Sequence, residues 1–235
     1  AWQFNTPGIN TFTADASLLL PVHSLGTSYL GMSWRHRDRG LVLSGFLSIV
    51  AVEDGTVVTV VPTADVAAGE DIDGIEAGET ATFELDAGEL LNLTTAGPDG
   101  ADLTGTAITA SAPIAVFGGH TCGNVPTSTD NFCDHLEEQL PPINVWGSRF
   151  VVPRIAQRSA EDFEVVRVLA SEEGTTVTSA PDQGEVVLAA GEFVDMAPNS
   201  AFVLTASAPV LVTSFTRSQM APGAEGLADP SMVVV

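Results

Sequence analysis

The sequence contains an internal duplication, and this repeat limits the chain to folds built from two similar units. The clearest match is residues 109–113 (TASAP), which recur letter for letter as residues 205–209. Upstream of these motifs, Gly55 aligns with Gly174, each after an acidic residue and before a β-branched segment. The separation between equivalent positions shortens along the chain, which indicates that the second copy has shorter loops.

Each copy reads as short strands separated by turn signals. Asp54-Gly55 lies between two β-branched segments, which is typical of a hairpin because Gly readily adopts positive φ. Only 6% of residues are aromatic, and Val, Thr, Ala and Gly are abundant. We therefore predict an all-β fold with two tandem, internally duplicated antiparallel β-sandwich units, Ig-like or jelly-roll-like, of about seven strands each.

The acidity of the chain excludes one large class of partners. Its 30 acidic residues against 8 Lys and Arg give a net charge of -22. Such a charge repels phosphate backbones and anionic membranes, so we expect no nucleic-acid binding. No apolar run is long enough for membrane insertion. The acidic residues 70–76 (EDIDGIE) are the nearest candidate for a calcium site, but they lack the spacing of an EF-hand loop. We therefore expect no cofactor, with calcium at this segment as the alternative.

Residues 133–142 (CDHLEEQLPP) are the most specific of several further motifs. The others are residues 51–60 (AVEDGTVVTV), the pair 146–147 (WG), residues 150–153 (FVVP) and residues 229–232 (DPSM). Together they resemble the IgGFc-binding protein N-terminal domain family over nearly the whole chain after about residue 16. The resemblance implies an extracellular or cell-surface β module that binds or adheres without catalysis. It also implies that this chain is a bacterial-type secreted or surface member of the family. It provides no residue pattern for antibody binding.

Residues 120–135 (HTCGNVPTSTDNFCDH) contain both cysteines of the chain. His120, Cys122, Cys133 and His135 could form a Cys2His2 zinc site, and this alternative remains open. The exported character implied by the family places the thiols in an oxidising compartment, where two cysteines pair. We therefore predict a disulfide between Cys122 and Cys133, without a metal.

A connector motif follows the second cysteine. We predict a short turn or helix over residues 134–140 (DHLEEQL), with Asp134 as its N-cap and two prolines ending it. His135, Glu138 and Gln139 are expected to tie this segment to a sandwich through polar contacts. Trp146 completes the motif.

Residues 34–39 (WRHRDR) hold three of the chain's eight arginines. On one strand, Arg35, Arg37 and Arg39 would share a face and, with Trp34, form a candidate patch for a sulfated or sialylated glycan. The alternative is a solvated hairpin end that pairs with the chain's own carboxylates.

The predicted organisation has five segments. They are an N-terminal strand or linker (1–15), the first sandwich (16–123), a disulfide loop and short helical connector (124–141), the second sandwich (142–219) and a C-terminal segment leading to a further repeat or partner (220–235).

The sequence contains no nucleophile elbow, zincin helix or phosphate loop, so we predict that the chain is not an enzyme. The predicted function is a non-catalytic extracellular binding or adhesion module, whose partners are a protein or glycan ligand, copies of itself or neighbouring repeats. The alternative is a structural subunit of an extracellular filament or coat that assembles through β-strand edges. Apolar edges for such assembly are expected near residues 11–13 or 232–235.

Overall fold

The computed structural model describes the backbone of residues 2–4 and, in full, residues 16–155, 158–159, 161–181, 184–221, 223 and 229–235. It divides into unit 1, which contains Ala1–Gly123 and His135–Val145, and unit 2, which contains Asn124–Asp134 and Trp146–Val235. Strands dominate both units, and the described residues include two short 3-10 helices, Val22–Ser24 and Ile143–Val145. The all-β prediction is confirmed. Within the described residues, no helix has the length and apolar character needed to cross a membrane.

Unit 1 is built around one long strand. Its strands are β1 (Trp2–Phe4), β2 (Ala16–Leu18), β3 (Gly26–Leu30), β4 (Arg37–Asp38), β5 (Val42–Leu43), β6 (Gly45–Ala51), β7 (Thr56–Val61), β8 (Ala81–Leu85), β9 (Leu90–Thr94), β10 (Ala107–Gly123) and β11 (Asp134–Leu140). Seven of them form a sheet in the order β8-β7-β10-β6-β9, with β3 and β11 also paired to β10. The first half of β10 pairs with β3 and β7, and its second half pairs with β6. Strand β10 therefore joins two groups of strands, with β3 and β7 along its first half and β6 along its second half.

Unit 2 repeats this topology. Its strands are β12 (Gly147–Val152), β13 (Val165–Ala170), β14 (Thr175–Ala180), β15 (Val186–Leu188), β16 (Phe193–Met196), β17 (Phe202–Phe215) and β18 (Met232–Val234). They form a sheet in the order β15-β14-β17-β13-β16, with β12 and β18 also paired to β17. Gly55 and Gly174 have φ of 66° and 69°, and each lies in the turn before the equivalent strand, β7 or β14. The predicted duplication is thus present in both the pairing order and the turns.

The repeated TASAP motif lies inside the long strands, where the pairing register shifts. In β10 the shift falls between Thr109 and Ile114, and it includes a proline that cannot donate a ladder hydrogen bond. Ser111 Oγ accepts a hydrogen bond from the Val57 backbone N–H at 2.9 Å. In unit 2, Ser207 Oγ accepts the equivalent bond from the backbone N–H of the residue after Thr175, also at 2.9 Å. The motif is therefore a bulge stabilised by a serine.

The two faces of each central strand have different environments. In β6, Leu47, Ile49 and Ala51 are buried in the core, whereas the alternate residues point to the opposite face. Unit 2 has a core of the same kind, rich in β-branched and small residues: Val152, Val166, Val168, Ala170, Val177, Leu188, Phe202, Leu204, Ala206, Val210 and Val212. Burial of this apolar surface stabilises each unit.

The predicted short helix over residues 134–140 is wrong, because this segment is strand β11 and pairs with β10. A Cβ at Gly119 would lie 1.8 Å from the Leu136 carbonyl oxygen, so the absence of a side chain lets the two backbones approach. Leu136 and Leu140 are fully buried. Pairing and burial therefore override the local helix signals. Residues 124–134 group with unit 2 and residues 135–145 with unit 1, so the predicted connector is divided between them.

At the N-terminus, β1 and β2 form a two-stranded antiparallel sheet. The edge expected near residues 11–13 lies outside the described residues.

Candidate functional site

Cys122 and Cys133 form a disulfide. A bridged sulfur is not a thiolate, so the alternative zinc site with His120 and His135 lacks two of its four ligands. Within the described residues, which include the acidic segment 70–76, no group of three or more His, Cys, Asp or Glu side chains is arranged to hold a metal ion.

The His120 side chain is buried and hydrogen-bonded within unit 1. Its side chain is 1% exposed, and its Nδ1 accepts a hydrogen bond from the Cys122 backbone N–H at 3.1 Å. Burial lowers the pKa of His120 to about 4, although the Asp102 carboxylate opposes this shift. His120 is therefore neutral at pH 7.

The polar residues of β11 tie this strand to β2. Ser17 Oγ donates a hydrogen bond to Glu138 Oε2 at 3.1 Å and accepts one from the Gln139 backbone N–H at 2.8 Å. The Gln139 side-chain oxygen accepts a bond from the Leu20 backbone N–H at 2.6 Å. Glu138 and Gln139 thus make polar contacts that position β11 in unit 1. Of the other predicted connector residues, Asp134 is buried and Trp146 is half-buried.

The arginine-rich segment does not form the expected patch on one strand. Within this segment, β4 includes Arg37 but neither Arg35 nor Arg39. Trp34 is 1% exposed and packs under the Arg35 guanidinium, whose carbon lies 5.2 Å from the ring centroid, so the indole belongs to the core. Arg39 Nε lies 3.0 Å from an Asp99 carboxylate oxygen. This ion pair is of the kind expected for a solvated hairpin end.

The outer face of unit 1 contains a groove that sequence reasoning missed. Its volume is about 230 Å³, and it is lined by Phe46, Ser48, Val50, Leu90, Phe117 and Glu137. We call these six residues the outer groove. The lining is mainly apolar, and Leu90 is 59% exposed at its edge. The one available signal was β6 itself, in which two of the three residues opposite the core, Phe46 and Val50, are also apolar.

Strand β11 completes this groove. The His135 ring stacks on Phe46, with centroids 5.7 Å apart and planes 19° apart. His135 Nε2 lies 3.4 Å from Glu137 Oε2. These contacts fix the aromatic wall and place a carboxylate beside it.

The matching position of unit 2 is filled by an arginine. In unit 1, Ser48 lies opposite Asn92 and accordingly donates a hydrogen bond to its side-chain oxygen at 2.8 Å. In unit 2, Arg167 occupies the place of Ser48 and lies opposite Asp195. Strands β6 and β9 of unit 1 thus carry a small polar pair, whereas the equivalent strands β13 and β16 of unit 2 carry an ion pair.

Arg167 is held on two sides. Its Nε and Nη2 donate to the two Asp195 carboxylate oxygens at 2.8 and 3.0 Å. Its guanidinium carbon lies 4.0 Å from the Phe193 ring centroid and 5.8 Å from that of Phe215. The side chain is completely buried, so an arginine closes in unit 2 the position that is open in unit 1.

Comparison with known proteins identifies the group to which this chain is related. The family model described as IgGFc binding protein matches residues 15–235. The human IgGFc-binding protein is 29% identical over 223 residues, which cover 95% of this chain but 4% of that protein. No solved structure matches. These matches give no support to the expectation of a bacterial-type member. The family model covers nearly the whole chain, which therefore belongs to the IgGFc-binding protein family.

Proposed function

We propose that this chain is a non-catalytic, protein-binding module of an extracellular protein, and that the outer groove of unit 1 is its contact surface. The observation that carries the proposal is an apolar groove on the exposed face of a sheet, in a member of a family named for protein binding. The disulfide supports the extracellular location. Adhesion would follow if such modules bind ligands while attached to a surface.

The groove suits a side chain better than a small molecule. Cofactor and drug-like ligands usually occupy clefts of roughly 300–1,000 Å³, whereas this groove measures about 230 Å³. An apolar centre beside a carboxylate is typical of protein contact surfaces.

The Fc fragment of immunoglobulin G is the first ligand to test, because the human relative is named for it. We expect saturable binding of the immobilised Fc fragment in surface plasmon resonance. Leu90→Lys places a positive charge in the outer groove and should abolish this binding. Val57→Lys is the matched control, because Val57 is also an exposed apolar strand residue of unit 1. Absence of binding, or equal loss in both variants, would contradict the proposal for this ligand and groove.

A second candidate function is assembly through strand edges, as in a filament or coat. Among the described residues, β18 pairs with β17 alone, and its three residues are apolar, with Val233 45% exposed. An apolar edge strand without charges favours pairing with another chain. If it assembles, sedimentation velocity should show a mass that grows with concentration, and Val233→Lys should prevent the growth. A constant monomer mass would exclude this function.

A further inference from the structure

The two units offer an internal comparison of one position in one fold. Phe117, Ser48 and Asn92 form a cross-strand row in unit 1. In unit 2 the row is Thr213, Arg167 and Asp195. Because pairing order and register agree, the side chains of the two rows have equivalent positions on their sheets.

In unit 2 this position binds a guanidinium. Asp195 contacts it with both oxygens, and Phe193 lies against its face. Carboxylate and aromatic ring are the two groups that recognise a guanidinium best, the first through paired hydrogen bonds and the second through its π face. Unit 2 therefore shows which ligand chemistry this part of the fold accommodates.

Unit 1 has Asn92 and Leu90 in the places of Asp195 and Phe193, but it supplies the same two kinds of group from other positions. Its outer groove contains the rings of Phe46 and Phe117 and the carboxylate of Glu137. Gly119 faces Phe46 across the strands, and the Phe46 ring would lie 3.0 Å from a Cβ at that glycine. The equivalent pair in unit 2 is Val165 and Phe215. The aromatic ring of this pair therefore lies on β6 in unit 1 but on the long strand β17 in unit 2. With a serine at position 48, the space remains open.

We propose that the outer groove of unit 1 binds an arginine side chain of a basic protein ligand, in the way that Arg167 occupies unit 2. This inference rests on the proposed protein-binding function and specifies the chemistry of the ligand. The net charge of -22 favours the same class of partner, because it attracts basic proteins over long range. Arginine suits the groove better than lysine, since its planar group stacks on a ring while donating hydrogen bonds.

The test is a titration of the full chain with N-acetyl-L-arginine amide, followed by methyl NMR. The methyl groups of Val50 and Leu90 line the groove and report its occupation. We expect saturable shifts at these two residues in the millimolar range. N-acetyl-L-citrulline amide has a similar shape without the charge, so the arginine probe should bind roughly 3- to 30-fold more tightly. Equal affinity for the two probes, or no shift at Val50 and Leu90, would overturn the proposal.

Two variants test the location of the site. Ser48→Arg with Asn92→Asp restores the arginine–carboxylate pair of unit 2, so the new arginine should fill the groove and prevent binding of the probe. Asn92 is exposed, so Asn92→Lys should leave the fold intact. The positive charge of the new side chain should also repel the probe. Thr82→Arg and Thr82→Lys, at an exposed position of β8, are matched controls that should leave binding unchanged. Undiminished binding to a folded Asn92→Lys variant would overturn the proposal, even if the double variant did not fold.

The result is separable from the Fc experiment. If Leu90→Lys abolishes Fc binding but the arginine probe does not bind, the protein-binding function stands and the arginine inference fails. If the probe binds and Fc does not, the groove recognises arginine in a different protein.

Discussion

Replacing His120 should remove most of the pH dependence of unit 1 stability between pH 7 and pH 4.5. The folded protein lowers the pKa of this histidine from 6.5 to about 4, chiefly through burial. The unfolded chain therefore takes up a proton before the folded chain does. Stability falls as the pH drops below 6.5, and the loss from His120 is complete below about pH 4.

The size of this effect follows from the two pKa values. A change from 6.5 to about 4 in a side chain that is 1% exposed corresponds to roughly 3 kcal/mol of unfolding free energy. Burial also lowers the pKa of His36, while Asp38 and Asp99 oppose the shift, so His36 adds to the loss in the same direction. Because each charge disfavours the other, the two protonations are coupled.

Urea denaturation at several pH values, followed through methyl NMR signals of unit 1, measures this free energy separately from unit 2. His120→Asn retains an acceptor for the Cys122 N–H but does not titrate. Its unfolding free energy should change far less between pH 7 and pH 4.5 than that of the native sequence. His23→Asn, at an exposed position, is the control and should retain the full dependence. A native chain with constant stability over this range, or an equal slope in His120→Asn, would refute the reasoning.

Three further predictions concern stability. Reduction of the Cys122–Cys133 bridge should destabilise the chain by about 3 kcal/mol, measured by urea denaturation with and without reductant; an unchanged midpoint would contradict this. Asp195→Ala should cost about 3 kcal/mol because Arg167 stays buried, whereas Arg167→Met should cost less; calorimetry that ranks them in the opposite order would refute the account. Gly119→Ala should cost at least about 3 kcal/mol, since its Cβ would lie 1.8 Å from a carbonyl oxygen; a native melting temperature would show that the backbone can adjust.

The repeat and its turns could be predicted because they depend on local chemistry. Positive φ at Gly55 and Gly174 is a property of glycine in tight turns, and it recurs where the alignment places it. The bulge at TASAP was less visible. Proline and serine read as the end of a strand, but here Ser111 satisfies the neighbouring backbone N–H, so β10 continues through the motif.

Strand β11 shows where local reasoning fails. Asp134 and Glu137 have the spacing of a helix cap, and that signal is real for an isolated segment. In the folded chain, Leu136 and Leu140 are buried, and the backbone of β11 approaches Gly119 closely. Long-range pairing of this kind cannot be read from seven residues.

The outer groove could not be found from sequence for a related reason. Aligning the repeats places Ser48 on Arg167, but the alignment does not say which face of the strand is exposed. The register brings Asn92 and Phe117 beside Ser48, and β11 adds Glu137, which lies in a segment whose local signals predict a turn or helix. The candidate site depends on four strands, so it emerges only from their pairing.

A crystal structure of the chain grown with saturating N-acetyl-L-arginine amide would test the central claim most directly. The account predicts a guanidinium in the outer groove of unit 1, stacked on Phe46 or Phe117 and within hydrogen-bond distance of Glu137. It also predicts that Arg167 remains on Asp195 in unit 2, with no probe at that position. An empty unit 1 groove, or a probe bound only elsewhere on the chain, would contradict it.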